Sequence, residues 1–282
     1  MCKILTDGID NSVYESHMMK VIFFALFAGI VLPVVAAEPL RVFIRAGKKT
    51  HGPGAHDHPA FLRDWSKLLK ERGAIVDGAL HFPTNQQMNA ADVIVFYAAN
   101  AGSMKAEERT AITNFRKRGG GLVFIHDAVC GNNAHWFKGL AGGAWQHKHS
   151  RFFEGRFDVS YEDKPHPITI GAGDFELDDE IYWKLHFDPN VQILAKTNCK
   201  HAQGSPQMWS LEEGKARTFS SIPGHWHVTF SIPQYRAVLL RGIAWAGHRK
   251  ADLLTTPEEV KFLAKPKNGP KIDKKTGKPE IP

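Results

Sequence analysis

The feature that most constrains the fold is a rhythm between Val93 and Ile125. Val93–Tyr97 (VIVFY) is a short, wholly apolar run with a small-residue exit. Lys105 to Arg118 is charged and amphipathic, with Ile112 and Phe115 on one side. Leu122–Ile125 (LVFI) follows three glycines and is again wholly apolar. Runs this short and continuously apolar suit strands buried on both faces, and the segment between them has helical spacing with Gly119 at its C-terminal end. Upstream the pattern repeats. Arg41–Arg45 predicts a first strand, and Phe61, Trp65, Leu68 and Leu69 predict a helix that Gly73 stops. Strand and helix alternating in this way predict an open, doubly wound α/β domain with a mostly parallel sheet.

The rhythm changes after Gly131. "RFFEGRFDVSY" alternates weakly and predicts an antiparallel strand, and "FELDDEIYWKL" and "VQILAKT" are short strand or loop pieces. "PQMWSLEEGKARTFSSIPGH" predicts a hairpin turning at Glu213-Gly214, with Ala216–Ser220 returning to the sheet. Tyr235 to Trp245 predicts a last helix. Antiparallel additions to a parallel sheet are therefore expected.

The two ends read differently from the centre. Val21 to Ala37 is apolar and uncharged, follows Lys20 and ends in Val35-Ala36-Ala37. This is the pattern of a secretory leader, and a retained anchor is the alternative. Residues 1–37 are read as an N-terminal extension and signal peptide, with Met19 as a second candidate start. The expectation is an exported chain, periplasmic or extracellular, with no stable membrane span after cleavage. Residues 38–250 form the expected α/β domain. Residues 251–282 form a basic tail, in which Lys265–Pro282 alone holds six lysines and two acids. Its Pro/Gly-rich composition predicts disorder. With that charge set aside the body is nearly balanced, which argues against a nucleic-acid partner. A homo-oligomer is left open. Cys130 and Cys199 remain after the leader and could be a disulfide or two buried thiols. No CxxC pattern supports a thiolate zinc site.

In doubly wound sheets ligands bind at the carboxyl ends of the strands. The first strand exits into His51, His56 and His58, the LVFI strand into His126 and Asp127, and the last strand into Gly224 and His225. A single histidine after a strand is compatible with a hydrogen-bonded scaffold role. Three such loops on one edge point to a site, where imidazole serves as an acid/base or a metal ligand. His126 and His225 are the candidate catalytic pair. The metal candidates are His126, His225, His147 and His149; the last two stand two apart and would share one side of an extended segment. The candidate cofactor is a divalent ion, zinc or similar. His56, Asp127, Glu180, Tyr182 and Trp209 are the candidate substrate-binding residues, because acids beside aromatic rings suit a sugar. Asp57 is read as a helix cap. There is no GxSxG, no P-loop and no GxGxxG after a strand, so neither a serine elbow nor a nucleotide cofactor is expected.

The order HDHP, GGGLVFIH, WFKGLAGG, HPIT, DDEIYW, PQMWSLEEGKARTFSSIPGH and RGIAWA resembles the ThuA-like (trehalose utilisation) family over about Arg41 to Gly247. The usual Gly-Lys-Gly-Arg of that family is Gly214-Lys215-Ala216-Arg217 here. The resemblance implies a flavodoxin-type, class I glutamine amidotransferase-like fold. By that analogy His126 takes the nucleophile's place and His225 that of the catalytic histidine, which makes cysteine-based amide hydrolysis an unsuitable reading. It also implies a role in carbohydrate catabolism, including oxidised (3-keto) disaccharides. Three functions are carried forward: a carbohydrate-active isomerase, lyase or hydrolase; a non-catalytic sugar-binding or assembly module; and a metal-dependent hydrolase of another substrate class.

Overall fold

The structure, a computed structural model, describes residues 38–280; the leader expected over 1–37 lies outside them. The first half runs β1 (Arg41–Ala46), α1 (His58–Glu71), β2 (Ile75–Ala79), α2 (Asn85–Ala90), β3 (Val93–Tyr97), α3 (Ala106–Lys117), β4 (Gly121–Ile125) and α4 (Ala134–Ala141). It continues through β5 (Gly143–Ala144), β6 (Arg151–Tyr161), β7 (Phe175–Trp183), β8 (His186–Phe187), β9 (Gln192–Thr197), β10 (Ser205–Glu213) and β11 (Ala216–Ser221). The chain then passes through α5 (Pro233–Ala246), α6 (Pro257–Ala264), β12 (Ile272–Asp273) and β13 (Lys278–Pro279).

One nine-stranded sheet organises the molecule, in the order β2-β1-β3-β4-β11-β10-β9-β6-β7. From β2 to β11 neighbouring strands are parallel. From β11 to β7 every pair is antiparallel. The apolar runs explain the layering. Side chains of a strand alternate between faces, so Val93, Val95, Tyr97, Val123 and Ile125 meet α1 and α5 in one core. Ile94, Phe96, Leu122 and Phe124 meet α2, α3 and α4 in the other. A strand covered by helices on both faces has no solvent face to show, which is why VIVFY and LVFI carry no charged residue; the one hydroxyl, that of Tyr97, donates to Gly224 O at 2.7 Å.

The helices begin and end for local reasons. Asp57 caps α1 by accepting from the Ala60 N–H at 3.2 Å. Acids in the first turn of α3 and bases in its last turn match the helix dipole. Among the described residues no helix is long and apolar enough to cross a membrane. Cys130 is a buried free thiol and Cys199 a half-buried one.

The basic C-terminal segment departs from its composition. It folds: Thr256 and Glu259 form a reciprocal capping box for α6, and β12 and β13 pair as a short hairpin. Backbone groups hold it to the edge strand β7, with the Gly269 N–H donating to Glu176 O at 2.8 Å. Lysine-rich composition signals a chain unable to bury enough apolar area by itself. Here the segment borrows an existing sheet edge and core, a circumstance that composition does not record.

Candidate functional site: a histidine–carboxylate cluster at the strand ends

At the carboxyl end of β4 the chain turns sharply at His126, whose φ is +55°. That left-handed backbone is uncommon for a side-chain-bearing residue and marks stored strain. Gly224 passes close above it; a Cβ at Gly224 would stand 3.3 Å from the His126 Cβ. The loops after β1 and β11 are joined by an antiparallel bridge between Ala55 and Trp226. The His56 N–H donates to His225 O at 2.8 Å and the His227 N–H to Gly54 O at 2.7 Å. Residues 169 apart in sequence are thereby laid side by side.

The ring atoms converge. His56 Nε2 lies 3.0 Å from His225 Nδ1 and 3.0 Å from His126 Nε2. Glu180 reaches the same point, 3.5 Å from His126 Nε2 and 3.3 Å from His225 Nδ1. One ligand atom from each of His56, His126, Glu180 and His225 falls within 4.8 Å of the others. Tyr182, two residues beyond Glu180 on the same face of β7, sets its hydroxyl 3.1 Å from His126 Nε2.

Contacts behind the rings orient them. His126 Nδ1 stands 2.8 Å from the Ile222 carbonyl, so it donates there and Nε2 is left with its lone pair. His56 Nδ1 stands 3.0 Å from Asp127 Oδ2 and 3.3 Å from Thr50 Oγ1, and its Nε2 is the nitrogen turned into the cluster. His58 lies between two acceptors, Lys48 O at 2.8 Å and Asp127 Oδ1 at 3.3 Å. Burial alone would raise the Asp127 pKa. The His56 and His58 hydrogen bonds outweigh it and hold the carboxylate below its ordinary range. Burial and the neighbouring His56 push His126 well below an ordinary histidine, and His225 down to about 3. Glu180 moves the other way, to about 8, through burial and then the Asp179 and Glu154 carboxylates. Ring nitrogens of His126 and His225, each 3.0 Å from His56 Nε2 and beside a carboxylate that resists ionisation, form a set that a cation would relieve. Outer-shell acceptors on Nδ1 are the usual support of metal-binding histidines.

Beneath the cluster sits a carboxylate that sequence reasoning missed. Asp179, fully buried, accepts from the backbone N–H groups of Glu180, Gly224, His225 and Trp226 at 2.7, 3.0, 2.9 and 3.4 Å, and from the Thr229 hydroxyl. It ties β7 to the His225 loop. Its signal was an acid at the alternating positions otherwise held by Phe175, Leu177, Ile181 and Trp183.

Three sequence-level candidates fall elsewhere. His147 is exposed at the mouth of the cleft, 3.3 Å from Asn100 Oδ1, and His149 stacks near His186. Gln146 to Ser150 is a turn and not an extended strand, with the His149 and Ser150 N–H groups both bonded to Gln146 O. The two rings therefore do not share a side, and neither belongs to the cluster. Trp209 is core: its indole N–H donates to Ala141 O at 2.8 Å and its ring meets Phe187. Conversely His56 and Glu180, read as substrate contacts, stand among the convergent ligand atoms. A cleft of about 360 Å³ opens onto the cluster, with Trp145, His147, Phe152 and Tyr182 among its walls, within the usual range for small-molecule pockets.

Comparison with known proteins agrees with this architecture. A ThuA-like protein from Parabacteroides merdae superposes with a TM-score of 0.60 at 16% identity, covering 74% of this chain and 90% of that one. One from Bacteroides uniformis gives a TM-score of 0.60 at 20% identity, covering 75% and 93%. A β-galactosidase from Rahnella sp. R3 gives 0.54 at 15% identity, covering 74% of this chain and 31% of that one. At such identities the likeness is one of fold. No curated protein matches the sequence. The sequence profile of the ThuA family, described as trehalose utilisation, matches residues 42–246, the span that builds the sheet and the histidine cluster, and the chain belongs to that family.

Proposed function

We propose that this protein is an exported, carbohydrate-active member of its family that binds a divalent cation of the zinc class through His56, His126, His225 and Glu180. The carrying observation is the convergence of three imidazole nitrogens and one carboxylate within 4.8 Å. Three nitrogens and an oxygen suit zinc and its neighbours better than calcium or magnesium, which take oxygen. Such an ion, when bound, would polarise a carbonyl and lower the pKa of a water. The chain's own groups supply the rest. Asp127 and His58 hold the His56 ring in register. The Tyr182 phenol, pushed well above its ordinary pKa by burial, keeps its proton and would donate to a substrate oxygen. Trp145 and Phe152, the latter 57% exposed at the cleft wall, offer faces for the apolar side of a sugar ring. Family membership supports a carbohydrate-related role. A keto-sugar fits the chemistry, because isomerisation, elimination or hydrolysis each require a proton to move beside a carbonyl.

Elemental analysis of the purified chain tests the metal reading, with about one divalent ion per chain expected. His126→Ala should lose the ion and the turnover of a keto-disaccharide while keeping its far-ultraviolet circular dichroism. A protein free of metal whose His126→Ala variant turns over as before would end the proposal. The alternative, an accessory sugar-binding module, draws support from the β-galactosidase, about a third of which shares this fold. Sugar binding without product would favour it.

A further inference from the structure

The family match ends at residue 246, yet the segment beyond Lys265 runs back to the cluster. We propose that Lys265–Glu280 is a positioning strap for the His56–His225 pair, acting through Ile272 and Gly277; the inference rests on the reading of the cluster as a cation site. The strap is anchored along β7, where the Ile272 N–H donates to Asp178 Oδ2 at 2.9 Å, one residue before Asp179 and two before Glu180. The Ile272 side chain, 4% exposed, packs on Ala55 and Trp226 in a small cluster apart from the two main cores. Those two residues form the bridge that joins the site loops, and each is the chain neighbour of a convergent histidine. Gly277 closes the contact: a Cβ there would stand 2.5 Å from Pro53 O, so only glycine lets the hairpin sit on the His51–His56 loop. Lys274 pairs with Glu154 at 3.2 Å, and Glu154 faces Glu180 across the β6–β7 ladder. The strap thus touches both site loops and the strand that carries the carboxylate.

The test compares Ile272→Ala, Ile272→Val and Leu263→Ala, the last in α6 and buried in the main core. Cobalt(II) uptake is followed by its visible absorption, and amide exchange is followed over residues 51–58 and 224–228. Ile272→Ala should weaken cobalt binding about tenfold or more, the usual effect of disturbing outer-shell support. It should also speed exchange at His56 and His227. Ile272→Val should restore both to within about twofold. Leu263→Ala should lower Tm and change neither. An Ile272→Ala variant that loses Tm like Leu263→Ala, with cobalt affinity and loop exchange unchanged, would overturn the strap. If the wild-type chain takes up no cobalt, the metal reading fails by itself, and loop exchange alone then decides for or against the strap.

Discussion

Asp179 and Asp127 show how much a single carboxylate can organise. Asp179→Ala would leave four buried N–H groups and the Thr229 hydroxyl without their acceptor. An unsatisfied buried donor costs about 1–3 kcal/mol, and relaxation of the loop makes the losses less than additive. A loss of about 3–5 kcal/mol in urea unfolding is expected, against a near-neutral result if water replaced the carboxylate. Asp127→Asn makes a different prediction. An amide loses the negative charge that faces His56 and His58 and puts an NH2 donor where one carboxylate oxygen stood. Metal affinity should fall about 10–100-fold, read by competition with a chelator, with little change in fold. At this scale the sequence was legible where local geometry is simple. Glu180 and Tyr182 share a face because they stand two apart in a real strand. His147 and His149 stand two apart as well, but Lys148 adopts a φ of +69°, and a turn cancels the alternation on which the metal reading relied.

Elements were legible in proportion to how fully they are buried. Val93–Tyr97 was read with its observed bounds and Leu122–Ile125 within one residue of them, because both faces of these two strands meet apolar helix surfaces. The strand ends were legible too, and with them His126 and His225. The order of the antiparallel half was not, since β9 pairs with β6 and β10 through contacts that leave no local pattern. The C-terminal helix was missed although its capping box, Thr256 with Glu259, stands in the sequence. Glu259 does more than cap. It is 3% exposed and binds Arg72 of the α1 C-terminus and Arg236 of α5, at 3.0 and 2.8 Å. Glu259→Ala removes the cap partner and leaves two half-buried guanidinium groups without a counter-charge. Breaking such a buried pair should cost about 2–4 kcal/mol, with Thr256→Ala nearer 1 kcal/mol. Thermal unfolding of the two variants checks the ranking, and equal small losses would mean that α6 is only loosely held.

For the whole molecule, burial of uncharged histidines sets how stability responds to acid. His166 is the case that can be isolated from the cluster. It is 5% exposed, lies against the Trp245 ring, and its Nδ1 accepts the Ile168 N–H at 3.2 Å. A proton on Nδ1 would end that bond. Burial lowers its pKa to about 4; Glu212 opposes the shift weakly, and Arg217 and Lys164 reinforce it. The unfolded chain, with an ordinary histidine near 6.5, therefore binds the proton first. Between those two values the unfolded state carries more protons than the folded one, so stability is complete above about pH 6.5 and declines as pH falls through about 4. The slope from one such group is at most ~1.4 kcal/mol per pH unit. His126 and His225 shift in the same direction, so the absolute slope of the wild-type protein mixes several groups. The comparison with His166→Gln removes them: its unfolding free energy should fall less steeply than the wild type's between pH 6.5 and 4, and the two curves should run parallel above that window. Curves that stay parallel throughout would mean that His166 is protonated in the folded protein, and that the packing against Trp245 opens to admit the charge.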